Sequence, residues 1–88
     1  MIEVIDETTV GFLGEERVPM ANVMRGEYAL PDGTLVQGDV CLLILPDPAG
    51  DVVVGVGSEV SVSGVRWRVL SVDNPADELG SVTLERLG

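Results

Sequence analysis

Catalysis and metal binding draw on a short set of side chains, and most of that set is missing from this chain. Its 88 residues contain no histidine and no lysine. Fifteen carboxylates stand against five basic groups, all arginine, and Cys41 is the one cysteine. A Ser–His or Cys–His nucleophile needs an imidazole to take the proton, so neither can be assembled. A lysine nucleophile is excluded in the same way. One thiol without histidine cannot close a zinc knuckle, and it cannot form a disulfide within the chain.

Carboxylates are the remaining reactive groups. Asp6–Glu7, Glu15–Glu16 and Asp77–Glu78 are adjacent pairs. A glycosidase uses two carboxylates held in a frame that separates their proton affinities. These pairs fall in turn sequences, beside solvent and without such a frame. Asp73, Asn74, Asp77 and Glu78 gather oxygen ligands in one loop, but their spacing is not that of an EF-hand. "GFLG" at Gly11–Gly14 and "GVG" at Gly55–Gly57 are turns, since a phosphate cradle needs a longer glycine pattern opening a helix. The expectation is a protein that is not an enzyme, with no cofactor and no resident metal. The net charge of −10 also argues against binding nucleic acid through its phosphates, which requires a basic footprint.

The elements available to position these groups are strands. Valine is abundant, alanine is sparse, and glycine and proline punctuate the chain throughout, the rhythm of an all-β domain. An apolar fraction of 45% is too high for a disordered chain. The reading is a single domain over residues 1–88, a small antiparallel β-barrel or sandwich of about six strands with long loops.

Ile2–Ile5 and Thr9–Leu13 flank the acidic turn Asp6–Glu7, as a hairpin or as one bent strand. Pro19–Leu30 follows, with Gly26 marking a bulge or a close backbone approach. Pro31–Gly33 is a turn. Gly38–Pro46 contains "VCLLIL", apolar on both strand faces, so it is either central or covered by something. Asp51–Ser58, "DVVVGVGS", is a short strand with a glycine hinge, or an apolar loop that covers a neighbouring subunit. On the second alternative Val52, Val53, Val54 and Val56, with Leu43 and Leu45 before them, are the expected inter-subunit or partner contacts.

The closing third alternates cleanly. Val60 and Val62 point inward, Ser63–Gly64 makes a tight turn, and Val65, Trp67 and Val69 point inward again. The phase then slips, which predicts a β-bulge at Leu70–Ser71. Asp73–Gly80 is a loop, and Ser81–Leu87 resumes with Val82 and Leu84 inward. The expected core anchors are Trp67, Val60, Val62, Val69, Val82 and Leu84.

These closing residues resemble a known family. Gly57–Val60, Gly64, Trp67–Val69, Val72, Asn74–Gly80 and Val82–Leu87 occupy the slots of the C-terminal hairpin region in phage head–tail joining proteins of the lambda type, which include tail-attachment and head-closure members. "VMRGEYALP" (Val23–Pro31) is similar to the family's second strand, and "LLILPDPAG" (Leu42–Gly50) to the strand that leads into its mobile loop. The N-terminal helix and basic C-terminal tail of some relatives have no counterpart here.

The resemblance implies a structural virion protein at the head–tail interface, assembled in the host cytoplasm. Its copies would form a ring, commonly sixfold, between the portal or adaptor and the tail, and help retain packaged DNA. The longest apolar run, Val40–Leu45, is far too short to span a bilayer, so no membrane association is expected, and the acidic charge argues against specific nucleic-acid binding. An acidic ring suits a channel through which DNA slides, because like charges leave no sticky sites. The alternative is an SH3-like or OB-like adaptor module. Phe12, Tyr28 and Trp67, the only aromatic residues, make a poor platform for one.

Overall fold

A computed structural model describes residues 1–88. The chain is all strand and turn: β1 (Ile2–Asp6), β2 (Val10–Leu13), β3 (Glu16–Ala29), β4 (Leu35–Ile44), β5 (Asp51–Gly55), β6 (Glu59–Val62), β7 (Val65–Asp73) and β8 (Ser81–Arg86). They form two antiparallel four-stranded sheets, β1-β8-β7-β6 and β2-β3-β4-β5. The sheets stack as a sandwich and do not close into a barrel.

Eight strands replace the expected six for two reasons. First, β1 and β2 do not pair with each other. The chain turns a corner at Glu7–Thr9, where the Thr9 amide donates to Asp6 O, and passes from one sheet to the other. Thus β1 pairs with β8, while β2 pairs with β3. Second, Asp51–Gly55 takes the short-strand reading and not the apolar-loop one: it is hydrogen-bonded to β4, with Val54 opposite Cys41 and Val52 opposite Leu43. The connections are shorter than expected, the longest covering residues 45–50 and 74–80.

Local chemistry accounts for the turns. Ser63 and Gly64 both have positive φ, 50° and 79°, the pair of values that lets a two-residue hairpin follow the strand twist. At the β3–β4 hairpin, Asp32 Oδ1 accepts the Thr34 amide at 2.9 Å, the local bond that makes aspartate a turn residue. The bulge in β7 lies between Val69 and Ser71, where the alternation slips. A second bulge, in β3 between Ala21 and Met24, falls at Asn22, whose φ is 56°. Gly26 is not bulged. It sits in regular register opposite Gly38, in close approach to Val40.

The core fills the space between the sheets. Trp67, Ile5, Met20, Leu43 and Leu84 are its largest fully buried side chains. All six expected anchors belong to it: Trp67, Val60, Val62, Val69, Val82 and Leu84. Trp67 alone removes up to roughly 200 Å² from water, worth about 5 kcal/mol at the usual 25 cal/mol per Å². Its indole N–H has no acceptor, which offsets part of that gain.

Candidate functional site

The groups that could do chemistry are either occupied or apart. Glu7 is the most constrained carboxylate. Its Oε1 accepts the Gly80 amide at 2.9 Å and its Oε2 accepts the Val23 amide at 3.0 Å. The Glu7 amide in turn donates to Gly80 O. One side chain therefore ties the β1–β2 corner to the β3 bulge and to the residue that opens β8. The two amides, Gly80 first, hold its carboxyl below the ordinary value of 4.5, because they favour the charged form.

Glu16 is also engaged, accepting the Ser63 hydroxyl at 2.7 Å. Asn74 donates to Asp39, which also faces Arg25 at 3.8 Å, and Asp73 accepts from Ser81. Asp77 and Glu78 lie on the exposed loop. No three acidic or thiol groups come together as a metal site. Cys41 lies in the core, and its thiol is pushed up to about 12, first by burial and then by the charge of Glu7. At neutral pH it stays a thiol, the unreactive form.

Surface is the remaining resource, and the two outer faces of the sandwich are unlike. On β2, Leu13 points inward, so Val10 and Phe12 point out. On β3, Val18 and Met20 point inward, leaving Arg17, Pro19 and Ala21 outside, and Met24 joins them after the bulge. On β4, Cys41 and Leu43 point inward, leaving Val40, Leu42 and Ile44 on the outer side. On β5, Val54 points inward and Val53 outward. Registers place Val10 beside Pro19, Ala21 beside Leu42, Leu42 beside Val53, and Met24 beside Val40. The result is an apolar strip across all four strands, with Met24 55% and Val53 49% exposed.

One end of this strip is built on glycine. Tyr28 and Val40 are buried yet lie outside the main core cluster. The Tyr28 ring rests where a side chain on Gly55 would stand, with Gly38 beside it. Its hydroxyl donates to Val56 O at 2.9 Å. This small second core stiffens the end of the face. Next to it is a hollow of about 270 Å³ between Met24, Val40, Leu42 and Val53, with Asn22 and Glu27 at its margin.

The expected interface residues divide accordingly. Val53 and Val56 are exposed and Val52 is half-buried against the core. Leu43, Leu45 and Val54 are corrected to core positions, with exposures of 0%, 8% and 1%. The reason is geometric: once Asp51–Gly55 pairs with β4, alternate side chains of both strands must turn into the sandwich. Sequence reasoning missed Val10, Phe12, Pro19 and Met24, and reached Leu42 only through the doubly apolar run "VCLLIL". Each looks ordinary within its own strand. The signal was apolar residues at both odd and even positions, and only "VCLLIL" was read that way.

The other sheet differs. Arg66 faces Glu59 at 3.5 Å and Arg68 faces Glu85 at 2.9 Å across its outer surface. Ser61 and Thr83 lie among them. Apolar groups appear there only as Ile2 and Val4 on edge strand β1 and Leu70 at the bulge. No helix of the chain is long and apolar enough to cross a membrane. Set against family models, curated proteins and solved structures, the chain matches none.

Proposed function

We propose that this protein is a structural component of a phage virion, one that joins the head to the tail as part of a ring and helps retain packaged DNA. The observation that carries the assembly reading is the apolar outer face of β2-β3-β4-β5. A monomer gains nothing by leaving such a strip in water, whereas an assembly that covers it gains the hydrophobic term. The choice of assembly comes from the resemblance of Gly57–Leu87 to head–tail joining proteins. The chemistry agrees with it: the thiol is inert, the most constrained carboxylate is spent on backbone amides, and the charge is that of a surface DNA slides past.

The test is co-expression with the products of the neighbouring reading frames, followed by light scattering and electron microscopy. The free chain should scatter as a small species. With a portal or tail component it should enter ring-shaped particles, and Met24→Ser with Val53→Ser should block that entry. Neighbours unrelated to capsid, portal or tail, or a chain that stays alone beside them, would overturn the reading.

A further inference from the structure

We infer that the outer face of β2-β3-β4-β5 docks a cationic amphipathic segment of a partner protein, rather than the same face of a second copy of this chain. The inference rests on the assembly reading above and names the kind of surface that covers the face.

Charge decides between the occupants. The apolar strip is bounded by more carboxylates than cations. Asp51 stands opposite Ile44 in the β4–β5 register. A shallow hollow at the Pro19 and Ile44 end is bordered by Glu15, Glu16 and Asp47 against the single guanidinium of Arg17. On the other sheet the Arg66–Glu59 and Arg68–Glu85 pairs neutralise each other. The acidic excess around the strip is therefore uncompensated within the chain.

A second copy would bring the same carboxylates to the same rim. A twofold contact sets like against like, and that repulsion adds to the net charge of −10 on each chain. A partner with apolar side chains flanked by arginine or lysine meets both features at once. Its apolar groups would enter the hollow beside Met24, Leu42 and Val53, and its cations would face Asp47 and Asp51.

The experiment uses the whole chain and two synthetic probes, a Leu/Lys amphipathic peptide and a Leu/Glu peptide of the same apolar pattern. Binding is read by calorimetry and by methyl NMR shifts. The Leu/Lys peptide should bind, shift the Met24, Leu42 and Val53 methyls, and exceed the Leu/Glu peptide by about tenfold or more. The doubly substituted Met24→Ser, Val53→Ser chain keeps every charge and should lose about tenfold in affinity. Asp47→Asn with Asp51→Asn keeps every apolar group; it should weaken binding and flatten its salt dependence.

Shifts confined to the other sheet or to the 73–80 loop would overturn the inference. So would a serine variant that binds as well as the parent, since bulk charge would then explain everything. A twofold dimer in sedimentation, abolished by the same serines, would assign the face to a second copy instead. Entry into head–tail particles is scored separately. Intact entry without peptide binding overturns the partner chemistry alone; peptide binding without entry supports the docking chemistry and overturns the virion reading alone.

Discussion

The two outer faces of the sandwich are made from similar strands and have opposite surfaces. On β6-β7-β8 the outward positions are mostly polar, Arg66, Arg68, Glu59, Glu85, Ser61 and Thr83 with Leu70 at the bulge, and two Arg–Glu pairs lie across the strands; the exposed Ile2 and Val4 stand on edge strand β1. On β2-β3-β4-β5 they are mostly apolar, among them Val10, Phe12, Pro19, Met24, Leu42, Ile44 and Val53, with Arg17 and Asp51 the charged exceptions. An antiparallel sheet that ends in water alternates apolar with polar, as the first does. The second breaks that pattern at the same positions in four neighbouring strands. None of the strip's residues belongs to the core cluster between the sheets, so the fold is expected to hold without them.

The sharpest way to break this comparison lies in two adjacent valines of β5. Val54→Asp would bury a charge in the core and should abolish cooperative folding, a cost of several kcal/mol against the small margin of a domain this size. Val53→Asp, one residue away and facing out, should leave the urea midpoint nearly unchanged. Circular dichroism with urea titration measures both. Equal damage from the two would mean that the strip is part of the core after all.

Smaller effects sharpen it. A methyl group on Gly55 collides with the Tyr28 ring, so Gly55→Ala should cost about 1–3 kcal/mol by overpacking. Tyr28→Phe keeps the ring and loses the bond to Val56 O, for about 1 kcal/mol. Urea titration of the pair separates the packing of this second core from its one hydrogen bond.

The clasp between the sheets gives a pH signature. The folded-state pKa of Glu7 is lowered, so the group stabilises the fold above its unfolded value of 4.5 and that contribution fades as pH falls through the folded value. The parent chain should lose urea resistance below that point more steeply than Glu7→Gln, whose amide does not titrate. Parallel curves would remove Glu7 from the account of acid stability.

The least effect is expected on the polar face. Arg68→Ala removes a 2.9 Å ion pair whose side chains are 45% and 35% exposed, and should cost about 0.5 kcal/mol or less, fading with salt. A double-mutant cycle with Glu85→Ala measures the pair. A larger coupling would make the polar face structural and weaken the contrast between the two surfaces.

Much of this architecture was legible in the chain. The alternation of "EVSV", "VRWRV" and "SVTLERL" placed three strands and all six core anchors, because a period of two is the direct imprint of a half-buried strand. The slip after Val69 located one bulge. Asn22 located nothing, since asparagine accepts positive φ but does not demand it. The valines of Asp51–Gly55 were ambiguous. A run apolar at every position is compatible with a buried strand or with a sticky loop until its hydrogen-bond partner is known.

The sequence by itself determined the strand-built class, the inward set of the closing strands and the absence of an imidazole or amine to do chemistry. These follow from residue identity and from a periodicity local to each strand. Only the tertiary structure decided that Val54 is core while Val53 is surface, that β1 and β2 belong to different sheets, and that apolar residues from four strands share one face. Those outcomes depend on which strands pair and in what register: β1 finds β8 at the far end of the chain, and even between consecutive strands the register is set by contacts across the pair, not within either strand. Moving a pairing by one residue would exchange the two faces.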